Sequence, residues 1–123
     1  MSRVYYNKLV RDQIAETIRS KGEVCEVRTL TDEQEFQQEL LKKVIEEATA
    51  LAQARTREEF LSEYADLMVV LDTLTQALEL TPADVGVSLE ENITKKGKYE
   101  QRHFLHWSED SGYESNETPQ GIR

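Results

Sequence analysis

Phe60, Tyr64, Leu67, Leu71, Leu74 and Leu78 recur at alternating spacings of four and three residues. That period holds one stripe of an α-helix against a neighbour over several turns, and it does not suit a strand, whose side chains alternate every second residue. The stretch from Tyr64 to Leu71 is apolar nearly all round, through Val69 and Val70. A central helix, covered on more than one side, is therefore expected here. Upstream, Phe36, Leu40, Val44, Ala48 and Leu51 also recur at helical spacing, to about Ala54. Only a few residues separate the two patterns, so the two helices should pack as an antiparallel hairpin.

Local signals supply the boundaries. Thr31 with Gln34, and Thr56 with Glu59, read as capping boxes that open the second and third helices. Thr81, with Pro82 at the first helical position and Asp84 in the first turn, opens a fourth helix that reaches about Lys96 and stops at Gly97. Asn7 is expected to cap a first helix from about Lys8 to Ser20, with Leu9, Ile14 and Ile18 as its apolar stripe and Gly22 as its stop. Residues 23–30, with Val24 and Val27, read as a short extended segment, either a strand or a loop. After Gly97, residues 99–107 mix aromatics with charge and are expected to dock as an arm. The fold class expected is all-α: a four-helix domain over 1–107 and a disordered polar tail over 108–123.

A chain of 123 residues is one domain in length. At that size folding removes only about two-thirds of the chain's surface from water. Helix three also carries apolar residues on two faces, so a homodimer is expected. The net charge of −9 argues against binding a nucleic-acid polymer, which requires clustered cations to neutralise phosphates. Cys25 is the only cysteine, residues 1–11 contain no apolar signal-peptide core, and no apolar run approaches a membrane span. These features predict a cytoplasmic chain with no membrane partner.

Chemistry concentrates on the central hairpin. Glu63 and Asp66 stand three residues apart and border apolar positions: Glu63 lies four before Leu67, and Asp66 four before Val70. On the second helix Glu47 follows Val44 by three and precedes Leu51 by four, with Glu46 beside it. Antiparallel packing about residues 54–56 can bring Glu47 opposite the Glu63–Asp66 pair. Three such carboxylates, with no lysine or arginine in the intervening apolar seam, form a hard-oxygen site suited to Mg²⁺ or Mn²⁺. The plain alternative is a solvated acidic face, with Lys42–Glu46 and Lys43–Glu47 as surface pairs.

The run Lys43-Val44-Ile45-Glu46-Glu47-Ala48-Thr49-Ala50, followed by Glu63-Tyr64-Ala65-Asp66, resembles the EExxE…ExxD signature of the all-α nucleotide pyrophosphohydrolases. That group includes the MazG-like enzymes, dimeric dUTPases and phosphoribosyl-ATP pyrophosphohydrolases. Tyr6-Asn7-Lys8-Leu9-Val10-Arg11-Asp12-Gln13-Ile14 is similar to the opening of one MazG-like subgroup, and the matches together run from about Val4 to Leu105. The resemblance implies a MazG-like bundle and metal-dependent hydrolysis of a nucleoside triphosphate or related nucleotide to the monophosphate and pyrophosphate. It implies Glu47, Glu63 and Asp66 as metal ligands, with Glu46 as a further ligand or as the water-activating base. Where the signature has its third glutamate this chain has Ala50. That departure implies a weaker metal site and keeps a second reading open, a nucleotide-binding relative with reduced catalysis. A helical interaction module is a third.

Lys8 and Arg11 are candidate contacts to the substrate's phosphates, against a surface patch. Asn92 and Lys95, three apart on the fourth helix, are candidate nucleotide contacts; the alternative for Lys95 is interaction with the helix C-terminal dipole. His103 and His106 lack a third soft ligand near in sequence. Cys25 has no paired histidine or basic flank and reads as a packed thiol.

Overall fold

Among the described residues, five of the eight helix ends lie where a side chain or a left-handed residue satisfies the free backbone groups. The structure, a computed structural model, describes residues 2–109 and Gly112. Four helices are present: α1 (Ile14–Ser20), α2 (Glu33–Ala52), α3 (Arg57–Ala77) and α4 (Pro82–Lys96), with no strand among the described residues. The chain divides into two units, Met1–Val87 and Ser88–Arg123, and α4 runs from the first into the second.

The caps of α3 and α4 follow the sequence reading. The Glu59 N–H donates to Thr56 Oγ1 at 3.1 Å, and the Glu59 carboxylate accepts from the Arg55 N–H at 2.7 Å. At α4, Thr81 Oγ1 accepts from the Asp84 N–H (3.1 Å), and the Asp84 carboxylate accepts from the Thr81 N–H (2.9 Å). The bond from the Thr81 N–H foremost, and the Thr81 hydroxyl after it, lower the pKa of Asp84. Gly22 and Gly97, at φ +79° and +76°, close α1 and α4. The capping box expected at Thr31 is not formed. Asp32 takes the cap position instead, through its backbone carbonyl and without a side-chain bond.

The first helix begins at Ile14 rather than Lys8. Asn7 does not cap it but adopts a left-handed conformation at φ +47°. Residues 8–11 offer only Leu9 and Val10 as apolar contacts, too few to offset the cost of another turn. Lys8 and Arg11 instead reach carboxylates of the hairpin. Residues 23–30 form a loop, with Val24 and Val27 exposed, and its Arg28 forks onto Glu35 at 2.6 and 3.1 Å.

In the first unit, α2 and α3 are the helices that pack together. Leu40 and Val70 are the buried hydrophobic residues, and Gln37 Nε2 donates to the Ala77 carbonyl at 3.3 Å, tying the start of α2 to the end of α3. The strip facing α2 is not the expected seam. On α3 it runs through Glu63, Asp66, Leu67, Val70, Leu74 and Ala77, whereas Phe60, Tyr64, Leu71 and Leu78 are exposed. On α2, Glu47 and Ala50 are half-buried and Ala48 is exposed. The seven-residue spacing is kept but the face is turned by about one position: Glu63, Val70 and Ala77 take the inward places expected of Tyr64, Leu71 and Leu78, while Leu67 and Leu74 belong to both stripes. Helix three is thus not the covered element its composition suggests. Leu61, Tyr64, Met68, Val69 and Leu71 remain accessible.

In the second unit, the Gly97 N–H donates to the Ile93 carbonyl at 2.7 Å, ending α4. The aromatics of 99–107 were expected to dock, but Tyr99 and Trp107 are 93% and 80% exposed. The polar tail expected from Ser108 lies, beyond Glu109 and apart from Gly112, outside the described residues. No helix among the described residues is long and apolar enough to cross a membrane.

Glu79 ends α3 at φ +59°, with its N–H on the Gln76 carbonyl and the Leu80 N–H on the Thr75 carbonyl. Left-handed backbone is costly for a residue with a Cβ and free of that cost for glycine. Glu79→Gly is therefore expected to stabilise the fold by about 1 kcal/mol and raise Tm by about 4 °C or more. A thermal melt with Tm unchanged or lowered would contradict this reading of the cap.

Candidate functional site

The strips along which α2 and α3 meet include Glu47 on α2 and Glu63 and Asp66 on α3, all three half-buried. One carboxylate oxygen from each lies within 4.8 Å of the other two. The juxtaposition inferred from antiparallel packing is therefore present in the fold. The short connection, capped at Thr56, sets the register that aligns the carboxylates.

Basic groups approach this cluster from two directions, which corrects the expectation of a seam without cations. Lys43 lies in the helix interface with its side chain only 14% exposed, and its Nζ stands 3.2 Å from Glu47 Oε1 and 3.2 Å from Glu46 Oε2. The Lys43–Glu47 pair is thus sheltered rather than a surface pair, while Lys42 turns to Glu39. From the N-terminal segment, Lys8 Nζ donates to Glu46 Oε1 at 2.8 Å. Arg11 Nη1 stands 3.6 Å from Asp66 Oδ1. The Glu63 side chain makes no hydrogen bond or ion pair among the described residues.

The hydrogen bond from Lys8 lowers the pKa of Glu46, helped by Lys43 and opposed by partial desolvation. The same bond raises that of Lys8. Glu46 is therefore ionised at neutral pH, and through their shared partner Lys43 it sits beside Glu47. Like charges this close repel unless a proton or cation intervenes. Lys43 and Arg11 supply part of that compensation, and Glu63 receives none by direct contact. The donor set is all carboxylate oxygen, with no imidazole or thiolate, and fits a hard divalent cation.

Asn92 and Lys95 are exposed on α4 within the second unit, and their side chains have no hydrogen bond or ion pair among the described residues. His106 makes an edge contact with Phe104 at 5.3 Å. Cys25 is half-buried, with its thiol 3.8 Å from the Ala15 carbonyl. The residue whose place the sequence reading missed is Lys43. Its spacing of four from Glu47 announced that ion pair but not its burial, and the pairing of Glu46 with Lys42 expected from spacing is made by Lys43 instead. No protein-family model, curated protein or solved structure matches the chain.

The Lys8–Glu46 pair has a defined pH window. Glu46's share of the stabilisation is present above the ordinary glutamate range and is lost as pH falls through its lowered folded value. Lys8's share is full below the ordinary lysine range and is lost as pH rises through its raised value. Both side chains are about 40% exposed, so the pair contributes at most about 1 kcal/mol. A carboxyl-carbon NMR titration should place the Glu46 midpoint below an ordinary glutamate, and Lys8→Met should move it upward. An unshifted midpoint in the wild type would remove the contact from the solution structure.

Proposed function

We propose that this chain is a divalent-metal-dependent nucleotide pyrophosphohydrolase of the MazG-like, all-α type. The observation that carries the reading is the convergence of Glu47, Glu63 and Asp66, from two helices, within 4.8 Å of one another. They are the residues that match the family signature. Their donor chemistry suits Mg²⁺ or Mn²⁺, and the half-buried Glu63 has no counter-ion among the described residues. A divalent cation bound there neutralises phosphate charge and makes water a stronger acid. Glu46, ionised and adjacent to Glu47, is the carboxylate available to take the proton from water. Lys8 and Arg11 are near enough to the cluster to hold the substrate's phosphates. The roles of Asn92 and Lys95 rest on the resemblance alone.

A homodimer belongs to this reading. Leu41 and Ile45 on α2, and Leu61, Tyr64, Met68 and Leu71 on α3, are exposed. Exposed apolar surface on this scale is characteristic of association surfaces. Light scattering at micromolar concentration is expected to give the mass of a dimer, reduced to a monomer by Leu71→Glu. A wild type that stays monomeric would count against the assembly.

One observation favours a second reading, a nucleotide-binding relative with reduced catalysis. Ala50 replaces the third glutamate of the signature on the inward strip of α2, while Lys43 already neutralises Glu47. Pyrophosphate release over a panel of nucleotides with Mg²⁺ or Mn²⁺ separates the two. The enzyme reading expects weak, metal-dependent release, abolished by Asp66→Asn and increased by Ala50→Glu. Metal at ten times its Kd should also stabilise the fold by about 1.4 kcal/mol, an effect lost in Asp66→Asn. Nucleotide binding without release from either the wild type or Ala50→Glu would favour the second reading. Loss of stability in Ala50→Glu even with Mg²⁺ would mean that the strip has been remodelled around alanine.

A further inference from the structure

Residues 2–13, which precede α1, are non-helical and exposed apart from Leu9, yet two of their cations stand on the acidic group of the hairpin. Lys8 holds Glu46 at 2.8 Å and Arg11 faces Asp66 at 3.6 Å. Lys43, by contrast, is fixed on α2 and has little freedom to leave. The acidic group therefore has one built-in cation and two delivered by a strap.

We infer that this strap is an exchangeable counter-ion. Its Lys8 and Arg11 balance the carboxylates when no divalent cation is bound, and a cation at Glu47, Glu63 and Asp66 drives them off toward phosphate oxygens of the incoming nucleotide. The inference rests on the metal reading proposed above. A divalent ion beside Asp66 cancels the charge that attracts Arg11 and repels the guanidinium directly. Exchange is easy because the Arg11–Asp66 pair is solvent-exposed, at 57% and 42%, and exposed pairs are weakly held. A guanidinium released from one carboxylate is well suited to a phosphate, which it binds through two parallel hydrogen bonds. Coupling of this kind is reciprocal: whatever the cation does to the strap, the strap does to cation affinity.

The experiment uses the full chain, with Mn²⁺ alone and then inorganic pyrophosphate as probes. Calorimetric titration of Arg11→Gln should show Mn²⁺ binding about two- to fivefold tighter than in the wild type, the span of one exposed ion pair. Pyrophosphate binding in saturating Mn²⁺ should weaken in the same variant. Lys8→Gln should shift both quantities in the same directions, so the test does not depend on one variant folding. Amide exchange across residues 4–13 of the wild type should accelerate when Mn²⁺ is added. Unchanged or weaker Mn²⁺ binding in both variants, with amide exchange indifferent to Mn²⁺, would overturn the strap while leaving the metal site standing. Mn²⁺ binding that is absent from the wild type, or unaffected by Asp66→Asn, would instead overturn the metal reading and the strap with it.

Discussion

Everything in the first unit is organised by the contact of α2 with α3 along one narrow strip. That strip buries Leu40 and Val70, half-buries Leu67 and Leu74, and includes three carboxylates and a lysine. A small all-apolar strip would hold the hairpin more firmly, since each charge removed from water carries a desolvation cost that its partners must offset. The acidic residues are therefore kept at the expense of packing. An expense of that kind is usual where side chains serve chemistry rather than stability.

The charge distribution has the same logic. Glu46 and Glu47 share Lys43, Glu46 also takes Lys8, and Asp66 takes Arg11, so the negative group is compensated in steps by cations of increasing freedom. Glu63 stands outside that series.

Elements governed by local chemistry were legible in the sequence. Thr56 with Glu59, Thr81 with Pro82 and Asp84, Gly22 and Gly97 all mark helix ends by bonds or dihedral angles internal to a few residues. The opposition of Glu47 to Glu63 and Asp66 was legible too, because two helices joined by a short turn have little choice but to run back along each other. What could not be read was the face along which they meet. The seam from Phe60 to Leu78 is a property of one helix, whereas the strip through Glu63, Val70 and Ala77 is a property of the pair. The start of α1 was misplaced for a related reason: Lys8 and Arg11 take their partners from α2 and α3, far along the chain, and nothing in their own neighbourhood announces it. Whether the apolar residues left open on α3 are covered by a second copy is likewise decided outside the chain's local pattern.

The short turn between α2 and α3 has a consequence in time as well as in space. Glu47, Glu63 and Asp66 all lie close to it along the sequence, so assembling them requires only the closure of a small loop and no long search for a distant partner. Contacts of such low sequence separation form early in folding. During synthesis the acidic cluster can be complete once the end of α3 has emerged, before the residues from Pro82 onward have followed it out. The N-terminal segment with Lys8 and Arg11 has by then already been made. The chain thus never has to carry a finished acidic cluster without its counter-ions.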